Sequence, residues 1–263
     1  MEPAHRAADG GSGRLTAVVS YRERSPHPAL AEYVVCTWSD AARPGLRVLP
    51  DGCIDIVWIG DEMLTVAGPD TTANVIGLPE GTLTIGVRFR SGVAPGFLKT
   101  DAHELADRSI DLEDVWGEEA TRLADVLQAA PSADAKQTLL ETALLQRIDE
   151  TAQPHPDVEA TVELIAAEPS SARVGDISRR LDVSERQLRR RFERAVGYGP
   201  KTFGRVLRFR RFLDLVEAHG YPLGQAAADA GYADQPHLTR ECNDLGGLPP
   251  AELIAVRNVQ DGV

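Results

Sequence analysis

Two stretches decide how this chain is read: Ile177–Phe203, ISRRLDVSERQLRRRFERAVGYGPKTF, and Ala226–Leu253, AAADAGYADQPHLTRECNDLGGLPPAEL. Set 50 residues apart, they repeat one another. Ser184 matches Asp234, Leu188 matches Leu238, Arg190 matches Arg240, Gly197 matches Gly247 and Pro200 matches Pro250. Each pair has a physical job. Ser and Asp are good helix N-caps because their side-chain oxygens accept from free backbone N–H groups of the first turn. Ser184 with Gln187 also forms the capping-box pattern. The leucines fall one turn inside, where a core face is expected. The glycines suit left-handed C-caps, and the prolines forbid continuation. Ahead of each capped helix lies a shorter helical pattern, Val174–Leu181 or Pro222–Ala230, and a tight turn, Asp182-Val183 or Gly231-Tyr232-Ala233. Short helix, turn and second helix is the helix-turn-helix plan, with units at about 174–195 and 222–245. In that plan the second helix enters a major groove, its first residues against base edges.

The segment between the units supports the same plan. Lys201–His219 reads as one helix of about 28 Å at 1.5 Å per residue. Successive major-groove faces on one side of a duplex lie about 34 Å apart, so one rigid spacer can hold two reading heads. Its apolar stripe of Val206, Phe209, Leu213 and Val216 would bind both units. Net charge is −12, which taken alone opposes binding to phosphate. The distribution reverses that. Arg173–Arg211 carries 13 Lys/Arg against 4 Asp/Glu, whereas residues 1–155 carry 13 against 24. The cations form one block, as a phosphate-binding surface needs, although a solvated helix face would look the same.

Further toward the N-terminus the pattern changes. Thr151–Pro156 holds two prolines in three residues and reads as a linker (151–156) into an all-helical domain, 157–258. Before it, short apolar runs at Leu15–Arg24, Tyr33–Trp38, Arg47–Leu49, Cys53–Ile59, Met63–Ala67 and Thr82–Phe89 are bounded by turn signals such as Pro50-Asp51-Gly52 and Gly68-Pro69-Asp70. They predict a small β-barrel or sandwich-like domain over 15–150, followed by helices at Val93–Leu98, Ala102–Leu105, Glu118–Ala129 and Ser132–Ile148. The stripe of Leu139, Leu140, Ala143, Leu144 and Ile148 must be buried, either on the β-domain or on a second copy of the chain, so a homodimer is expected as one possibility. Residues 1–14 read as a disordered tail without an apolar signal core, and no apolar run is long enough to span a membrane; a cytoplasmic protein is expected. The fold class is α+β.

The segments quoted at the outset resemble the AraC/XylS-type DNA-binding domain over about 100 residues, roughly Pro156–Arg257, with AGYADQPHLTR and the two glycine-to-proline spacings the most telling features. The resemblance implies a transcription regulator that binds a double-stranded DNA operator, touching RNA polymerase if it activates. It implies Arg186, Arg189 and Arg190 as base readers, with Ser184, Gln187 and Arg194 beside them, and Gln235, His237, Thr239 and Arg240 in the second unit. Arginine suits a bidentate bond to guanine, so a guanine-containing half-site is expected. Glu241 and Asp244 are expected near the groove, where they would repel phosphate and weaken the second unit. Cys242 stands where the family has a core aromatic and reads as a small buried hydrophobe.

Residues 15–115 resemble an N-terminal domain of some bacterial AraC-like regulators, through RVLPDGCIDIVW (47–58), VAGPDT (66–71), GVRFRSGVAPGFL (86–98) and DLEDVWG (111–117). Alternation puts Asp51, Cys53 and Asp55 on one strand face and Ile54, Ile56 and Trp58 on the other, with Arg88 and Arg90 sharing a face. Trp38, Asp51, Asp55, Trp58, Arg88 and Arg90 are thus candidates to line a pocket for an unknown small polar effector; alternatively Asp55 simply pairs with Arg88 and the tryptophans fill core. No cofactor is expected. Six scattered histidines without His-x-His, and three cysteines without CxxC, give no metal site. Two other functions compete. A DNA-repair alkyltransferase sharing the module needs a zinc-bound or Pro-Cys-His cysteine, and Cys36 lies in Val-Cys-Thr, Cys53 in Gly-Cys-Ile. A ligand-binding barrel with a degenerate DNA-binding domain sits badly with the intact cationic run Arg186–Arg194. No nucleophile–base constellation points to an enzyme.

Overall fold

The computed structural model describes residues 21–261. The expected tail 1–14, and residues 15–20 of the first expected strand, lie outside the described residues.

β4 (Asp55–Ile59) is buried along nearly its whole length, because it pairs antiparallel with β5 (Met63–Ala67) on one side and β7 (Leu83–Phe89) on the other. Beyond β7 lie β2 (Val34–Ala41) and β1 (Arg22–Arg24); beyond β5 lies β8 (Ser109–Asp111). A separate ribbon pairs β3 (Arg47–Val48) with β6 (Asn74–Val75). The sheet order is β1-β2-β7-β4-β5-β8. It is an open sheet, which corrects the expected barrel within the α+β class. Closure needs the edges to pair, and among the described residues each edge strand is three residues long and pairs on one side only.

Alternation then gives the sheet two different faces. Trp58 sits opposite Ile85 and Ile56 opposite Val87. With Phe89, Val66 and Leu64 they meet α1 (Ala94–Leu98), α2 (Ala102–Leu105), α4 (Glu118–Ala129) and α5 (Ala133–Leu145) in one apolar core. A one-turn helix, α3 (Glu113–Trp116), precedes α4 and adds Trp116. Leu140 and Leu144 of α5 are buried there, and Leu139, Ala143 and Ile148 pack against it. The chain's own sheet therefore covers the stripe that suggested a second copy. The opposite face carries Asp55, Val57 and Ile59, and beside them Trp38 lies over Gly86. A Cβ on Gly86 would stand 2.3 Å from the indole, so only glycine lets the ring lie flat there.

From α6 (Pro156–Ala167) onward the chain is helical: α7 (Val174–Arg180), α8 (Glu185–Val196), α9 (Pro200–Glu217), α10 (Leu223–Ala230), α11 (Gln235–Glu241) and α12 (Pro250–Asp261), with a π-helical turn at Cys242–Gly246. Phe192, Phe203, Phe209 and Phe212 form the centre of a second core. Leu49 from the N-terminal half belongs to it. Gly52, at φ 82°, presses the same loop onto α9, since a Cβ there would come within 2.7 Å of the Phe203 ring. The two halves are packed together.

Candidate nucleic-acid interface

The repeat is realised element by element. Ser184 Oγ accepts from Gln187 N at 3.3 Å and Gln187 Oε1 accepts from Ser184 N at 3.4 Å, a complete capping box at the start of α8. Asp234 accepts from His237 N at 2.7 Å at the start of α11. Leu188 and Leu238 are buried. Gly197 (φ 103°) and Gly247 (φ 72°) are left-handed C-caps, and Pro200 and Pro250 open the following helices. The turns differ by one residue. Val183 N donates to Ser178 O and Tyr232 N to Ala227 O, so equivalence at offset 49 becomes 50 after Ala233. At the equivalent left-handed position, Asp182 (φ 52°) serves the first turn and Gly231 (φ 88°) the second.

On α8, Leu188, Phe192 and Val196 face the core, leaving Arg186, Gln187, Arg189, Arg190 and Glu193 exposed on one open face. Arg189 bonds Glu185 at 3.1 Å along that face. Three expected contributors are otherwise engaged. Ser184 and Gln187 cap the helix. Arg194 donates to Asp101 at 2.8 Å, on the N-terminal half. Arg191 pairs with Asp157 of α6. On α11, Gln235 and Arg240 are exposed. His237 packs edge-on against Tyr232 at 5.2 Å between ring centres, and the Thr239 hydroxyl donates to Gln235 O.

The placement of two carboxylates is a correction. Glu241 is buried against α9, accepting from Arg205 at 2.6 Å and Arg208 at 2.8 Å, and Asp244 accepts from Arg205 at 3.1 Å. Burial would push the Glu241 carboxyl up, but the bonds from Arg208 and Arg205 outweigh it and hold it below the ordinary glutamate value. Neither carboxylate is an unpaired charge facing a groove. The sequence could not show this, because the partners lie 33 to 39 residues away. α9 spans 18 residues, about 27 Å, and Val206, Phe209 and Leu213 are buried along it.

The outer sheet face, β3 and the helices α9 and α12 line a partly open cavity of about 310 Å³. Four of the six effector candidates meet there: Trp38, Asp51, Asp55 and Arg88. Arg88 bonds Asp55 at 3.2 Å and Asp51 at 3.3 Å, and the Trp38 indole N–H donates to Asp55 at 2.8 Å. Two do not belong. Trp58 is buried in the other core, beneath the Lys136 ammonium. Arg90 lies past the end of β7, where alternation no longer holds, and its Nε donates to Ala31 O on the surface. Sequence reasoning missed Asp70, Arg47 and Arg210, which also line the cavity. Nothing local marks them. The cysteines are poor thiolates: burial pushes Cys36 and Cys242 up to about 12 and Cys53 well above its ordinary value.

Comparisons with known proteins match two parts of the chain. Residues 177–255 match a family described as a helix-turn-helix domain, and residues 22–111 match a domain of unknown function (DUF6597). No curated protein matches the chain. Among solved structures, it is similar to a single-residue variant of apo ToxT from Vibrio cholerae strain SCE256 (11% identity, 88% of this chain and 99% of that one, TM-score 0.49) and to ToxT from Vibrio cholerae O395 (12%, 83% and 96%, 0.48). It is also similar to the C-terminal domain of AraT, a response regulator from Geobacillus stearothermophilus (18%, 40% and 89%, 0.38).

Proposed function

We propose that this chain, a DNA-binding transcription regulator with an AraC-type helix-turn-helix domain, grips its operator unequally with its two heads and that the N-terminal half controls the grip through a small effector. The observation that carries the reading is the open face of α8, with Arg186, Arg189 and Arg190 exposed together on a capped helix. The second head offers Gln235 and Arg240, with His237 and Thr239 partly covered. It is the weaker head because it brings one arginine to the face against three. Arg194, held by Asp101, reports on the N-terminal half rather than on bases.

Both heads sit on one chain, so operator reading needs no second copy. Contact with RNA polymerase enters only for an activator. The regulator works without catalysis, in the cytoplasm with its DNA. The cavity between the halves is the effector site, because its walls come from the sheet and from the spacer helix together. Two experiments test the reading. Selection of bound sequences from random duplexes should return a bipartite site with guanines in one half. With 5-fluorotryptophan in the chain, a pool of small metabolites should move the Trp38 fluorine resonance, assigned with Trp38→Phe. Failure to enrich any sequence contradicts the first claim; an unmoved Trp38 contradicts the second.

A further inference from the structure

The cavity walls are crowded with charges, and most are already matched. Arg88 is bonded to Asp55 and Asp51. Arg43 is bonded to Asp40 at 2.7 Å. Arg257 is bonded to Glu217 of α9. Three charges are not matched. Arg210, on α9, makes no ion pair or hydrogen bond among the described residues. Arg47, on β3, pairs with no carboxylate among the described residues; one of its nitrogens donates to Gly246 O at 3.2 Å, while its Nε is buried with no acceptor among them. Asp70 makes no hydrogen bond or ion pair among the described residues either, and its charged neighbours, Asp107 and Asp51, are both acidic. Beside these charges the wall is apolar, with Leu46, Leu49, Val57, Ile59 and Ile76, and Trp38 supplies an aromatic face.

A half-buried charge without a counter-charge costs free energy that a complementary ligand returns. An anion alone would satisfy the arginines and face Asp70 as a like charge. A cation alone would do the reverse. From the three unmatched charges lining one partly open cavity we infer that the effector is a small zwitterion of the amino-acid type, its carboxylate on Arg210 and Arg47, its ammonium on Asp70, and its apolar body against the Val57 and Ile59 side. This deepens the effector reading above and rests on it. It also names the route of regulation. Arg210 belongs to the spacer, and Arg47 holds the last turn before Gly247, the C-cap of the second reading head. A carboxylate bound by both ties the β3 ribbon to the spacer and to the second head.

The test uses the full chain and three molecules that share one apolar body: L-phenylalanine (zwitterion), 3-phenylpropanoate (anion) and 2-phenylethylamine (cation). Binding is read by the Trp38 fluorine resonance and by calorimetry. L-Phenylalanine should bind at least about tenfold more tightly than either of the others, as one charge-assisted hydrogen bond lost from a cavity implies. Asp70→Asn should abolish the preference over 3-phenylpropanoate, and Arg210→Gln the preference over 2-phenylethylamine, both with thermal melting within a few degrees of the parent. Equal binding of the zwitterion and either single-charge analogue overturns the inference, as does a preference that survives both substitutions. The two levels fail separately. If the metabolite pool moves Trp38 but L-phenylalanine and L-leucine do not, the zwitterion falls and the effector site stands. If nothing moves Trp38, both fall.

Discussion

At the residue scale the account turns on which charges are free to act. Arg190 and Arg240 occupy equivalent places, yet Arg190 stands beside Arg186 and Arg189 while Arg240 stands alone. Arg190→Ala should weaken operator binding by about 1–3 kcal/mol, roughly 5- to 150-fold, and Arg240→Ala by much less, measured by gel shift at fixed salt. Equal losses would contradict the inequality. Glu241 looked like a liability at the groove and is instead half of a buried cluster. Glu241→Gln leaves Arg208 without its carboxylate and Arg205 with Asp244 alone, and should cost about 3–5 kcal/mol by denaturant titration, with no gain in DNA affinity. A variant that folds normally and binds DNA more tightly would restore the expectation from sequence. Asp70 makes the third case. Burial, then Asp107 and Asp51, push its carboxyl up to about 6. A carboxyl raised in the folded state is protonated there while the unfolded chain has already released its proton. Stability should therefore fall as pH rises from about 4 to about 6. Asp70→Asn should melt higher than the parent at pH 7.5, and the gap should close at pH 4.

At the element scale the C-terminal half was legible because its signals are local. Capping residues, glycine C-caps and following prolines act within a turn of where they stand, so Ser184, Asp234, Gly197 and Gly247 placed their helices within a residue or two. The N-terminal half was legible as strands but not as a sheet. Met63–Ala67 was read as it stands, yet β6 and β8, two and three residues long, went unseen, since neither carries an apolar run of its own. Whether the sheet closes depends on edges that no local pattern describes. The cavity face shows the same limit. Alternation separated Asp55 from Trp58 correctly but carried Arg90 onto Arg88's face, because it could not show β7 ending at Phe89. One element-level device is directly testable. Gly86→Ala puts a methyl into the Trp38 ring. It should lower the melting temperature by several degrees and shift the Trp38 fluorine resonance, whereas Gly77→Ala, in open space, should do neither.

At the scale of the whole molecule, the N-terminal half touches the DNA-binding half at the places that decide its geometry. Asp101 holds Arg194 at the end of the first reading helix, Gly52 seats the Pro50–Cys53 loop on the spacer, and Arg47 holds the carbonyl of Gly246 at the end of the second head. None of these was legible beforehand, since each joins residues far apart in sequence with no pattern between them. The acidic total of the chain belongs to the controlling half and the cations to the reading half. The most direct test of the central claim is selection of bound sequences from random duplex DNA, run in parallel with the parent chain and with Arg186→Ala and Arg190→Ala. The account predicts a bipartite site for the parent, about one helical turn between halves, with guanine preference relaxed in one half only for each variant. An unenriched pool, or the same motif from parent and variants, would contradict it.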